Sequence, residues 1–271
     1  MVIHREKPYE NGMNMIVRDA GNAEGMLLDF GILKLAENEI WTDSSNKERA
    51  ILLIGGNVNY RWDGLERQAT RQSCFDENPE ALHVPAGKHV ELSAGSGGAE
   101  LGYEACANKR DFQAVYWSKS DIRNDVFGAN SLNEASIRTV RTVFDGDNAE
   151  FSNMVLGEVI NHPGKWSSYP PHDHPHPEIY HYRMFPQQGF GVSFLDYEAE
   201  TVRDKSTCLI SPEKTHPQVA AAGYAMYYIW MIPHLPDNRW LPSTRCFRDE
   251  HEWLLEKDAE IWPERSYEEV Q

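Results

Sequence analysis

The feature that most constrains this 271-residue chain is a turn that occurs twice. His83-Val-Pro-Ala-Gly-Lys-His89 is echoed by Ile210-Ser-Pro-Glu-Lys-Thr-His216, so Pro-x-x-x-His recurs at an offset of 216 − 89 = 127 residues. Upstream of each copy a glutamate opens a strand-like run. Glu48 precedes Arg49-Ala50-Ile51-Leu52-Leu53, and Glu178 precedes Ile179-Tyr180-His181-Tyr182, at an offset of 178 − 48 = 130. Self-similarity over such a period implies two tandem units of one architecture.

The texture of both units is all-β. Short runs rich in β-branched and aromatic residues recur at 49–54, 114–117, 155–160, 178–185, 189–195 and 225–232, separated by Gly, Pro, Asn and Asp clusters. This spacing predicts sandwiches or barrels rather than alternating βα units. The polar stretch 121–148, rich in Asn, Asp and Gly, reads as the connection, which gives a first unit over 1–125 and a second over 126–271. Helical periodicity is scarce. The acidic tail 249–270 is its best candidate, expected as a surface helix or arm away from any catalytic site.

Charge narrows the partners. Lys and Arg total 26 against 42 Asp and Glu, a formal net charge of −16, which repels phosphate backbones and anionic lipid. Nucleic acid and membrane surfaces are therefore not expected partners. The same field opposes an anionic substrate, so a carboxylate ligand would require local cations inside the site. The four cysteines, Cys74, Cys106, Cys208 and Cys246, are widely spaced and form no CxxC pair. The N-terminus lacks a cationic segment followed by an apolar one, and no apolar run approaches eighteen residues. The expectation is a soluble cytoplasmic protein, with Trp and Tyr content that permits a homo-oligomer.

The chemistry concentrates in the second unit. In extended chain, residues two apart share a face, so His172 and His174 can point at one ion, and Glu178 lies on the same parity. His216 arrives from the second Pro-x-x-x-His turn. Three imidazoles and a carboxylate suit one borderline divalent ion such as Mn, Fe, Co, Ni or Zn, with positions left open for substrate or water. His176 shares the parity too, but Pro175 and Pro177 flank it and its use would displace His174. A His cluster between prolines can also be a weak surface tract; a strand and a second-site His following it argue against that. In the first unit the offset puts Thr42 and Ser44 where the paired histidines would stand, leaving Glu48 and His89, so this unit is expected to be structural and without metal.

The HxHxxxE strand and PxxxH turn, in duplicate, resemble the cupin superfamily, and specifically a bicupin of two tandem jelly-roll barrels. A closer resemblance is to the 5-deoxyglucuronate isomerase (IolB) family of inositol catabolism. It is carried by Trp166-Ser-Ser-Tyr-Pro-Pro-His172-Asp-His174, Glu178-Ile-Tyr-His-Tyr-Arg183, Pro186-Gln-Gln-Gly-Phe190, His216-Pro-Gln-Val-Ala220 and Gly223-Tyr-Ala-Met-Tyr-Tyr228. Asp173, His181 and Lys214 stand where the family commonly has Lys, Tyr and Gly, and the loop from His174 to Glu178 is short.

The resemblance implies aldose–ketose isomerisation of a small sugar acid, 5-deoxy-D-glucuronate, to 2-deoxy-5-keto-D-gluconate, at one divalent ion held by His172, His174, Glu178 and His216. Strand parity then places Tyr180 and Tyr182 beside Glu178 as catalytic candidates, with a proton shuttle at either phenol or at a metal-bound water. Lys165 and Arg183 are nearby cations suited to a carboxylate clamp, although parity turns Arg183 outward. Gln188, in the Pro186–Phe190 motif, joins them as a substrate-binding candidate. Alternatives are isomerisation of a related uronate, an Fe(II)-dependent cupin oxygenase, and a sugar-binding or storage bicupin.

Overall fold

The computed structural model describes residues 1–257 and 259–262. The fold is almost entirely antiparallel β, as the texture predicts. Two long sheets carry it. In the first half the strand order is Gly12–Val17, Leu28–Leu35, Val90–Cys106, Glu48–Trp62, Ala81–Val84, Val115–Trp117. In the second it is Arg123–Phe127, Arg138–Phe144, Met154–Asn161, Ala225–Pro233, Glu178–Phe185, Thr207–Ile210, Val2–Ile3. The duplication is visible in the pairing. Glu48–Trp62 lies between Val90–Cys106 and Ala81–Val84, just as Glu178–Phe185 lies between Ala225–Pro233 and Thr207–Ile210. A smaller sheet ordered Trp166–Ser167, Gln218–Ala220, Phe190–Leu195, Glu198–Arg203 completes the second half.

Three apolar clusters explain why these sequences fold this way. One, with Leu33, Leu53, Tyr60, Leu92 and Leu101, fills the first half. Another, with Val155, Tyr182, Met226, Tyr228 and Trp230, fills the second. The third joins Phe30, Ile32, Leu52 and Ile54 to Leu156, Ile179, Tyr227, Ile229 and Met231, so the two long sheets pack against each other through their outer faces. Ala225–Pro233 is thus covered on both faces, and an unbroken Ala-Met-Tyr-Tyr-Ile-Trp-Met-Ile run replaces the alternation of a half-solvated strand. Gly157 is required here. A Cβ would lie 2.4 Å from the Trp230 ring, which crosses the sheet over it.

Polar groups tie the halves together. Arg71 donates to both oxygens of Glu158, and Tyr227 Oη donates to the same carboxylate at 2.6 Å. Arg183 pairs with Glu100 across the interface and with Asp204 at 3.0 Å. Glu48 takes a 2.6 Å hydrogen bond from Ser152 Oγ and a 3.0 Å bond from the Asn153 amide, both of the second half, and pairs with His83 at 2.6 Å.

Two stretches are organised differently from the sequence expectation. Residue 125 falls inside the strand Arg123–Phe127, which pairs with Arg138–Phe144, and Val2–Ile3 joins the second half's sheet, so the sequence boundary at 125 does not separate the sheets. The stretch 121–148 is not merely a connection. Arg123, Asp125, Arg138 and Thr142 lie on two of its strands and line a cavity, and such a polar strand face has the composition of a linker. Among the described residues the expected tail 249–270 carries the 3-10 segment Asp249–Leu255, and positions 258 and 263–270 lie outside the described residues.

Candidate metal centre

The site starts with local backbone. His172–Asp173 is a two-residue strand paired with Cys246–Phe247, Glu178 opens the strand that ends at Phe185, and His216 sits in the turn between Thr207–Ile210 and Gln218–Ala220. Glu178 Oε2 lies 3.3 Å from His174 Nε2 and 3.2 Å from His216 Nε2. One ligand atom from each of His174, Glu178 and His216 falls within 4.8 Å of the others. His172 stands against them, its ring centroid 5.2 Å from that of His216. All four side chains are buried.

The tautomers follow from the partners. Nδ1 of His172 faces the Pro170 carbonyl, Nδ1 of His174 the His176 carbonyl and Nδ1 of His216 the Lys214 carbonyl, each at 2.9 Å. A carbonyl only accepts, so each Nδ1 carries the proton and each Nε2 keeps a lone pair. Burial, reinforced by the neighbouring His216, holds His172 well below the ordinary imidazole range, and burial lowers His216 as well. Neutral imidazoles are the ligating form. Glu178 Oε2 is buried with no hydrogen-bond donor. An orphaned carboxylate oxygen facing imidazole lone pairs is repulsive by itself, and a divalent cation is the group that these donors fit. His176 does not join them. Its Nε2 donates to the Asn238 carbonyl at 2.7 Å, with the ring turned toward that loop.

These side chains close one end of a cavity of about 360 Å³, within the usual size range of small-ligand sites. The period-2 alternation of the long sheet supplies its wall through Arg123, Asp125 and Phe127, then Arg138, Val140 and Thr142, then Tyr228, Trp230 and Ile232. Tyr180 lines it too. Its hydroxyl lies 3.0 Å from Ser168 Oγ, and Ser168 reaches it from a left-handed backbone position, φ 48°. Burial, with the nearby Glu178 carboxylate, raises Tyr180 well above the usual phenol range.

The remaining sequence candidates lie elsewhere. Tyr182 shares parity with Tyr180 but does not line the cavity. Its hydroxyl donates to Gln218 Oε1 at 2.7 Å, while Gln218 Nε2 donates to the His216 carbonyl at 2.8 Å. Tyr182 therefore braces the turn that carries His216. Arg183 is taken up by Glu100 and Asp204 at the interface between the halves, because its parity turns it to the outer face. Gln188 is exposed beside Arg203 and Lys205, and Lys165 is outside the cavity lining. In the first half, His89 is at the surface with Ser44 Oγ 3.0 Å from its Nδ1, whereas Glu48 is buried with His83, so the two do not meet.

Sequence reading missed Arg138, Arg245 and Ser168. Arg138 was hidden in the supposed linker, and Arg245 lies in a Pro-Ser-Thr-Arg turn with no periodicity. The demand for cations near the ion was the only signal for either. Asp173 and Lys214, which depart from the family pattern, belong to one surface ion-pair chain. Arg248 lies 3.1 Å from Asp173 and 3.7 Å from Asp196, and Lys214 is 2.6 Å from Asp196.

A family model described as KduI/IolB family matches residues 2–254. A 5-deoxy-glucuronate isomerase of Halalkalibacterium halodurans is 26% identical over 259 residues, covering 88% of this chain and 91% of that protein. One of Bacillus subtilis is 23% identical over 268 residues, covering 91% and 95%. Among solved structures, an IolB-like protein from Salmonella typhimurium superposes with a TM-score of 0.84 at 20% identity, covering 94% of this chain and 99% of that one. An oxalate decarboxylase from Lactobacillus farciminis reaches 0.62 at 11% identity, covering 83% and 82%. Among the described residues no helix is long and apolar enough to cross a membrane. With a match running from the first strand to the 3-10 segment near residue 254, the chain belongs to the KduI/IolB family.

Proposed function

We propose that this protein is a metal-dependent aldose–ketose isomerase that converts 5-deoxy-D-glucuronate to 2-deoxy-5-keto-D-gluconate. The observation that carries the reading is the convergence of the His174 and His216 Nε2 lone pairs on the orphaned Glu178 oxygen, with His172 lining the same cavity. The isomerase relatives supply the substrate. A divalent ion held by His172, His174, Glu178 and His216 would supply Lewis-acid stabilisation of the oxyanion that develops as the carbonyl moves from C1 to C2.

The protein's own groups do the rest. Tyr180 holds its proton at neutral pH, and Ser168 Oγ fixes the hydroxyl at the cavity wall, so Tyr180 Oη can donate to the C1 oxygen and take a proton back from the C2 oxygen. Val159, Trp230, Ile232 and Trp240 form an apolar wall that limits water around the reacting carbons. The carbon-bound proton leaves C2 to water in the cavity and one returns from that water to C1, so no cosubstrate is consumed. Turnover of 5-deoxyglucuronate by the metal-loaded protein, abolished by chelation and restored by divalent metal, tests the reading. Turnover only of another uronate would keep the site and change the substrate.

A further inference from the structure

Three arginines, Arg123, Arg138 and Arg245, line the cavity beside the metal ligands. Arg123 is already neutralised, pairing with Asp145 and lying 3.7 Å from Asp147. Arg138 and Arg245 are not. Arg138 Nη1 donates to the Ser136 carbonyl at 2.9 Å, and its guanidinium carbon stands 5.5 Å from the Phe127 ring centroid. Arg245 Nε donates to the Pro242 carbonyl at 2.9 Å. Among the described residues neither makes an ion pair, and the remaining carboxylate of the strand wall, Asp125, is exposed and paired with neither.

Both guanidiniums are partly buried and line the same cavity, and Arg138 feels the charge of Arg245. Burial and the neighbouring Arg245 hold Arg138 below the usual arginine range, while burial lowers Arg245 and Glu178 opposes that shift. Two like charges in a desolvated wall are unfavourable without a counterion. They come from segments about a hundred residues apart, the strand Arg138–Phe144 and the turn after Pro242–Thr244, so local sequence does not force them together.

We propose that Arg138 and Arg245 form the subsite for the carboxylate of the sugar acid. Their forked N–H groups match a carboxylate's two oxygens. They also answer the difficulty posed by a chain of net charge −16, which must reverse its own field to admit an anion. The identity of the acid rests on the isomerase reading; the charge that is recognised does not. Arg138 and Arg245 line the same cavity as the metal ligands, which places the anion subsite within it.

The test compares an acid with its neutral isostere on the metal-loaded protein. Wild type should prefer 5-deoxyglucuronate over its C6 amide in kcat/KM, and Arg138→Gln and Arg245→Gln should each remove on the order of 10- to 100-fold of that preference. The loss should fall mainly on KM for the acid and be smaller for the amide, with metal content unchanged. Arg245→Lys, which keeps the charge and loses the fork, should fall between. Wild-type metal content and an unchanged melting temperature show that the variants fold. Undiminished acid preference in both Gln variants would overturn the assignment. Calorimetric binding of D-glucuronate against D-glucuronamide separates this proposal from the isomerase reading. Acid-selective binding in wild type that is lost in the variants upholds the subsite even if 5-deoxyglucuronate is not turned over, and equal binding of the two compounds by wild type refutes it.

Discussion

Arg71 and Glu158, from opposite halves of the chain, form a fully buried bidentate pair with N···O distances of 2.7 and 2.8 Å. Arg141 Nη1 lies 3.4 Å from the same carboxylate, so Glu158 balances two guanidiniums at the interface between the long sheets. Removing Glu158 would strand both. Glu158→Gln is expected to cost roughly 3–5 kcal/mol of unfolding free energy, as breaking one side of a buried pair does. Urea unfolding measures it, and a loss below about 1 kcal/mol would show that the pair does not hold the halves together.

The two tyrosines of the Glu178 strand should separate by phenotype. Tyr180→Phe removes the proton-bearing group of the cavity and should lower kcat by about 10²- to 10⁴-fold with metal content kept. Tyr182→Phe leaves Gln218 Oε1 without its donor beneath the His216 turn, which should cost about 1–3 kcal/mol of stability and weaken metal retention. Steady-state kinetics with metal analysis on both variants checks this; equal kinetic effects would contradict the assignment of Tyr182 as a brace.

His234 should set an acid limit on stability. It is buried, its Nδ1 accepts the Trp240 amide at 3.0 Å, and burial with the nearby Arg239 lowers its pKa to about 4. With an unfolded value near 6.5, the unfolded chain takes up this proton first, so stability is intact above about pH 6.5 and declines as pH falls toward 4. His234→Asn, which retains an acceptor for the amide, should flatten that decline by up to about 1.4 kcal/mol per pH unit. Identical pH–stability curves for the two proteins would rule His234 out.

Metal content should follow the ligand set. Wild type should hold close to one divalent ion per chain, with His172→Ala and His216→Ala losing most of it. His89→Ala should change neither metal nor stability, because His89 is at the surface. Glu48→Ala should unfold the protein more easily, since it leaves His83, Ser152, Asn108 and the Asn153 amide without their buried acceptor. Metal analysis and thermal melts on the four variants read both effects, and metal retained by both ligand variants would contradict the site.

Much of this was legible in the sequence because it depends on period and spacing. The twin turns and leading glutamates Glu48 and Glu178 do occupy corresponding strand starts, and His172, His174 and Glu178 line one cavity, although a bend over 174–177 rather than the parity of one extended strand places them there, and His176 of the same parity turns away. What was not legible depends on tertiary neighbours. Tyr182 has the parity of Tyr180 but lies deeper, where Gln218 claims its hydroxyl. Arg183 looked like a clamp until the first half supplied Glu100. Arg138 looked like linker, since a strand that faces a polar cavity loses the apolar alternation by which strands are recognised.

The central claim is tested most directly by proton NMR of 5-deoxyglucuronate with the metal-loaded protein in D₂O, without oxygen or nicotinamide. The account predicts loss of the C1 aldose signal, growth of the ketose hydroxymethyl signal, and some deuterium at that hydroxymethyl carbon, which derives from C1 of the substrate, since the carbon-bound proton passes through exchangeable groups. Unchanged substrate under these conditions, with turnover appearing only when oxygen is admitted, would contradict it.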